Sequence, residues 1–262
     1  QVWGKLAEVF DSINGLYATD RTRQKVFAGF AIGRLAPVMA QVGWNPRAGE
    51  PDTVANLREQ LIGALSSLGD TSTIAEARRR YAAQASDPGA VPGPLRKAIL
   101  GVVARHADGA TWDALHASAL AEKSPMVKDH LYHLLASPLE RALAQRALAL
   151  ALTDEPGATN SAAMLARVAD AHPDLAYDFA VANIGKVNER VDATSRSRYF
   201  PRLASQSGDP AMVGKLNAYA DANLAQGSRR EVETVISDIR FRIKARAERL
   251  AAIDAWLART QR

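Results

Sequence analysis

Five histidines are the residues best able to do metal or acid–base chemistry, and their spacing supports neither. His130 and His133 lie three apart behind Asp129, so one helical face offers two imidazoles to a metal. A zinc site needs a third ligand placed by the fold, and His133 is followed by Leu134 and Leu135 rather than by the glutamate chemistry of HExxH. His116 falls on the apolar stripe of its helix, where a core imidazole bonded to a carbonyl is expected. His106 sits at a helix end beside Asp108, where a charged ring suits the helix dipole, and His172 precedes Pro173 in a turn. No serine occupies a GxSxG elbow, and no GxGxxG or GxxxxGK[ST] loop is present to cradle phosphate. With no cysteine, disulfides and thiolate metal ligands are excluded.

The arginines carry the remaining chemistry. Arg78, Arg79 and Arg80 are consecutive, so on a helix they point about 100° apart and at most two can meet one ligand. Arg240, Arg242, Lys244 and Arg246 alternate with Phe241 and Ile243, which spreads the cations around the polar arc beside an Ile239 and Ile243 stripe. Two readings stay open: a solvated or helix-pairing face, or the lining of a cavity in which a guanidinium fork meets a peptide carboxylate.

These residues must be positioned by helices. Trp112, Leu115, His116, Ala119 and Leu120 recur at helical spacing, as do Leu95, Ala98, Ile99, Val102 and Val103, and Val232 to Ile243 form the longest stripe. No stretch alternates with period two over a strand length. Ser124-Pro125, Ser137-Pro138, Pro173-Asp174 and Asp209-Pro210 mark helix starts, and Thr73 to Glu76 and Ser228 to Glu231 read as capping boxes. The pattern predicts helices over 110–122, 138–152, 174–184, 195–206, 229–247 and 249–259, among others, with Trp112, Leu115, Leu134, Leu135, Phe179 and Ile239 buried. Gly69-Asp70 and Asp108-Gly109 are spaced about as two-helix repeats are, in the range of HEAT-type solenoids. The expected fold is all-α: an irregular HEAT-like or armadillo-like solenoid of antiparallel helix pairs, in a single domain over 1–262. Gly43 to Asp52, with two prolines and a second glycine, reads as a turn inside that domain.

One stretch reads as a signature: Gly43-Trp44, Leu57-Arg58, Gly69-Asp70 and Ala77-Arg78-Arg79-Arg80-Tyr81. It resembles the opening of the C-terminal helical domain of the zinc aminopeptidases typified by aminopeptidase N and the endoplasmic-reticulum aminopeptidases. Arg96 to Leu100, Ala110 to Leu115, Leu134 to Ser137, Leu175 to Asn183, Ile239 to Ile243 and Trp256-Leu257 follow in the same order and spacing. The resemblance implies a bowl packed over a separate, upstream catalytic domain that holds the zinc, with its concave face toward the peptide. The family's HExxH and GxMEN motifs are absent here, so no catalytic or metal-binding residue carries over. The expected partners are that upstream domain and peptide substrates, and the residues taken as lining a peptide cavity are Arg240, Arg242, Arg78 and Tyr177.

Composition leaves two other classes open. The 262 residues are 47% hydrophobic and carry a net charge of +5, from 33 basic and 28 acidic residues. A free-standing helical scaffold for a protein partner would show the same helix pairs. A HEAT-like nucleic-acid binder would use the positive charge, but the basic residues are interspersed with acidic ones, and aromatics are only 6%. Specific nucleic-acid binding is therefore not expected. No apolar run approaches the roughly 20 residues that cross a bilayer, so no membrane partner is expected. The opening Gln-Val-Trp already looks like the middle of an amphipathic helix, with no signal peptide visible, which suggests a trimmed or engineered start and leaves cytoplasm or periplasm open.

Overall fold

The computed structural model describes residues 2–260, which form fourteen α-helices and three short 3-10 turns, with no strand among the described residues. This is the all-α class expected. The helices gather into two compact units: one from the residues up to Val103 together with the stretch from Ala245 onward, the other from Ala104 to Lys244.

The first unit contains α1 (Val2–Leu16), α2 (Arg21–Val42), α3 (Asp52–Ser67), α4 (Thr71–Ala83) and most of α5 (Arg96–Arg105). Helix α1 packs on α2 and α3, and α3 packs in turn on α2 and α4. Their shared core includes Phe27, Leu35, Leu61, Ile62, Leu65 and Ile99. The C-terminal half of the last helix supplies Leu250 and Leu257 to the same core.

The signature residues are structural in this unit. Arg58 is fully buried. Its Nη1 and Nη2 donate to the two oxygens of Glu50 at 2.6 and 2.7 Å, Nε donates to Gly43 O at 2.7 Å, and Nη2 reaches Val42 O at 3.4 Å. One guanidinium thus satisfies the carbonyls where α2 ends and fixes the Gly43 to Asp52 turn, which lies wholly inside the first unit. Gly43 takes φ 73°, a conformation that suits glycine. Arg80 is also buried: it bonds Glu76 Oε1 at 2.7 Å and Ala90 O at 3.2 Å, and its guanidinium stands 5.3 Å from the centre of the Trp44 ring. Arg79 and Arg78 face outward, so the three consecutive arginines do diverge.

The second unit contains α6 (Gly109–Ala121), α7 (Pro125–Leu135), α8 (Arg141–Ala151), α9 (Ala158–Ala171), α10 (Pro173–Ala182), α11 (Ile184–Arg190), α12 (Arg196–Leu203) and α13 (Ala211–Asn223). It also takes the first half of α14 (Arg230–Thr260). Helix α9 is the hub, packing on α7, α8, α10, α11 and α12 through a buried face that includes Met164, Leu165 and Val168. Trp112 is buried as expected, with Nε1 donating to Leu135 O at 3.0 Å and the Arg146 guanidinium 4.1 Å from its ring centre.

Several local expectations are corrected. Helix α4 is capped by Asp70, which accepts from Thr73 N at 2.9 Å, so the start lies ahead of the expected Thr73 to Glu76 box and frees Glu76 to hold two arginines. Asp108 plays the same part for α6, accepting from Thr111 N at 2.8 Å, which is the physical content of the repeated Gly/Asp signal. Helix α8 starts at Arg141 rather than 138; the Ser137 hydroxyl donates to His133 O at 2.9 Å and accepts from Arg167 Nε at 3.0 Å instead of from an amide of the following helix. Residues 229–259 are not two helices but one, since no glycine or proline interrupts α14. The short α11 and the early end of α12 were not foreseen. Phe179 is only half-buried: α10 turns Ala176, Tyr177 and Ala180 inward, which leaves Phe179 at the edge of the buried face.

Candidate functional site

The histidines assemble no metal site: among the described residues no three metal-ligating side chains cluster. His116, expected to bond a core carbonyl, instead meets Glu155 Oε1 at 2.7 Å, because the loop between α8 and α9 brings that carboxylate over α6. Tyr132 OH donates to the same oxygen at 3.0 Å, and burial pushes its phenol up to about 12. His172 Nε2 lies 3.0 Å from Pro138 O, a structural contact.

The second unit holds a cleft of about 390 Å³ between α9 and α12. Helix α9 contributes Ala166, Ala169 and Asp170; α12 contributes Arg198, Tyr199, Arg202 and Leu203; the chain before and after α12 adds Ser195, Ser205 and Gln206. The spacing explains why one short helix lines it. Ser195, Arg198, Tyr199 and Arg202 recur at three and four residues and so share a face, while Phe200 and Pro201, which do not line the cleft, are buried.

Three of the four residues expected at a peptide cavity fall in the second unit, and two of them support this cleft from behind. Arg242 donates from Nη1 to Ser205 O at 2.8 Å and Ser207 O at 2.7 Å, and from Nη2 to Gln206 Oε1 at 3.2 Å, holding the loop that forms the cleft's edge. Tyr177 is buried and its hydroxyl donates to Lys215 O at 3.2 Å; burial raises its phenol well above the ordinary value. Its ring meets Tyr219, which stacks on Phe200 at 5.3 Å, and Phe200 meets Tyr199 edge-on at 5.8 Å. A chain of four rings therefore runs from Tyr177 to the wall of the cleft. Arg240 is exposed on α14 and does not line the cleft, and Arg78 lies in the first unit.

The charges around the cleft are mostly matched. Arg202 Nε donates to Glu231 Oε1 at 2.7 Å, and that bond raises the arginine further. Asp170 accepts from Arg167 Nη1 at 2.8 Å. Tyr199 turns its hydroxyl away to Ala162 O at 2.7 Å, presenting its ring, and burial pushes the phenol up. Arg198 is different: it is exposed, and among the described residues its guanidinium has no hydrogen-bond or ion-pair partner. The cleft thus offers small apolar walls and one uncompensated cation. None of Arg198, Tyr199, Arg202 or Asp170 was singled out from sequence. The available signal was two arginines four apart around a tyrosine, Arg198-Tyr199-Phe200-Pro201-Arg202.

The Arg58 clasp, the Arg80–Trp44 contact and the helices α7 and α10 that pack on α9 all involve residues of the ordered series noted in the sequence. Residues 1–241 match the family model of the ERAP1-like C-terminal domain, which covers most of both compact units, and the chain belongs to that family of aminopeptidase C-terminal domains.

Proposed function

We propose that this chain is the non-catalytic C-terminal domain of a zinc-dependent aminopeptidase, where it caps the active-site chamber of a separate catalytic domain and contributes to binding peptide substrates. The observation that carries the reading is the family match over 241 residues. Zinc belongs, in this reading, to the catalytic domain, and the partners of this chain are that domain and the peptide. The side chains that line or buttress the α9–α12 cleft supply what such a role asks for: a guanidinium open to a carboxylate, apolar walls, and supports that hold both in place.

The test uses the polypeptide that carries this domain together with its catalytic domain. Removing the present 262 residues is expected to abolish the preference for longer peptides while a single aminoacyl reporter is still turned over. The isolated chain is expected to release no chromophore from such reporters. Turnover by the isolated chain, or an unchanged length preference after its removal, refutes the reading.

A further inference from the structure

We infer that one face of the first unit, formed by α2 and the C-terminal half of α14, is a docking surface for an acidic amphipathic helix of a protein partner. Two observations meet there. The first is an aromatic cluster that stays partly open: the Trp256 and Phe30 rings meet edge to face, 5.1 Å between centres, and the Arg34 guanidinium lies 5.3 Å from the centre of the Phe30 ring. Trp256 remains 45% exposed, as does 47% of Val26, one turn before Phe30. The second is charge. Helix α2 carries Arg21, Arg23, Lys25 and Arg34 and no acidic residue. On α14, Arg249, Ala252, Trp256 and Arg259 follow helical spacing and are all exposed, so two more cations flank the same tryptophan.

The acids nearby do not neutralise these cations. Asp254 is taken by Tyr17 and Arg23, Asp20 caps α2 by accepting from Arg23 N, and Glu248 has a partner of its own. Arg21 reaches only the neutral Gln24. Lys25, Arg34, Arg249 and Arg259 make no hydrogen bond or ion pair among the described residues. An apolar strip bordered by cations is complementary to an apolar stripe bordered by carboxylates, which is the layout of an amphipathic helix with acidic flanks. Space for its backbone exists beside Val26, where a side chain at Gly29 or Gly33 would meet nothing. A bilayer surface takes several apolar side chains at once, and a nucleic-acid strand takes a series of open rings; α2 and the α14 tail expose one aromatic, Trp256. The face lies in the first unit, whereas the cleft lies in the second, and its α14 half lies beyond residue 241, where the family match stops.

The experiment titrates the 262-residue chain, by calorimetry and by amide and indole shifts, with a helical peptide of about five turns whose leucine and alanine stripe is flanked by glutamates. A second peptide carries lysine in place of every glutamate. Saturable binding of the acidic peptide is expected at roughly 0.1 mM or tighter in low salt, weakening about tenfold near 0.5 M salt as exposed pairs are screened. The shifts should fall on α2, on α14 beyond Ala245 and on the Trp256 indole, and the lysine peptide should not bind. The double variant Arg34→Glu with Arg259→Glu, both at exposed positions, should lose the acidic peptide by about tenfold and gain the lysine one, while Arg240→Gln, in the second unit, should change nothing. No saturable binding up to roughly 1 mM overturns the inference. So does equal binding of the two peptides, or acidic-peptide binding that survives the double variant or maps elsewhere. Phosphatidylglycerol vesicles and a single-stranded oligonucleotide are titrated in parallel; tighter binding of either identifies a different class of partner and also overturns it. No readout involves turnover, so the result stands apart from the aminopeptidase reading.

Discussion

Replacing Arg58 by alanine removes a fully buried cation and the four hydrogen bonds it donates, at 2.6 to 3.4 Å, to Glu50, Gly43 and Val42. What remains is a largely buried carboxylate without its partner, two carbonyls at the end of α2 without donors, and a void. Breaking a buried pair from one side costs about 3–5 kcal/mol, more than the pair contributes net, because the surviving charge is left desolvated. For a unit of this size each kcal/mol lowers the midpoint by roughly 4 °C, so a fall of about 12–20 °C is expected. The assay is thermal and urea unfolding followed by tryptophan fluorescence in a Trp112→Phe background, where Trp3, Trp44 and Trp256 all report on the first unit. The double variant Arg58→Ala with Glu50→Gln should recover part of the loss, since it removes the orphaned charge. Hydrogen bonding from Arg58 lowers the Glu50 carboxyl, so the pair stabilises above the ordinary carboxylate range and that contribution fades as pH falls through the lowered value. The acid limb of the stability curve should accordingly be shallower in Arg58→Ala. A loss below about 1 kcal/mol, typical of an exposed pair, or a double variant no more stable than the single one, refutes the reasoning.

Two further outcomes are expected. Trp112→Ala should destabilise the second unit by about 3–5 kcal/mol, the range for deleting a large buried aromatic, seen as a drop in urea midpoint at unchanged slope; a loss under about 1 kcal/mol would place Trp112 outside the core. Hydrogen bonds from Arg79, then Arg80, lower Glu76 from its ordinary 4.5 to about 2, so Glu76→Gln should flatten the loss of stability between about pH 4.5 and 2 and change it little at pH 1. An identical acid profile in the variant refutes that assignment.

Helical periodicity made most of the framework legible, because the apolar stripes of α5, α6 and α14 are largely the faces that become buried, with Leu120 at the end of the α6 stripe left exposed. Helix starts were less legible. Asp70 and Ser137 show why: a serine or threonine followed by a glutamate can cap, but whether it does depends on which neighbouring oxygen reaches the free amides first. The signature residues were visible, yet their role was not, since nothing local says that Arg58 reaches eight residues back to Glu50 and the end of α2. The site was the least legible part. Arg242 and Tyr177 stood out by type and position, and tertiary contacts turned both into supports, while Arg198 became notable only because Glu231 and Arg167 pair with the other charged groups of the cleft lining, Arg202 and Asp170.

The course of α14 bears on how the chain is made. Leu250 and Leu257 complete a core whose other members come from the first 103 residues, and Asp254 takes bonds from Tyr17 and Arg23, 237 and 231 positions earlier. The opening helices therefore leave the ribosome without the segment that closes their core. At about 5–20 residues per second, the roughly 150 residues between Val103 and Leu257 take about 8–30 seconds to synthesise, during which that apolar surface has no native cover. A shortened version ending at residue 241, where the family match stops, would keep most of the second unit's portion of α14 but not Arg242, and would leave the first unit in that nascent, uncovered state permanently.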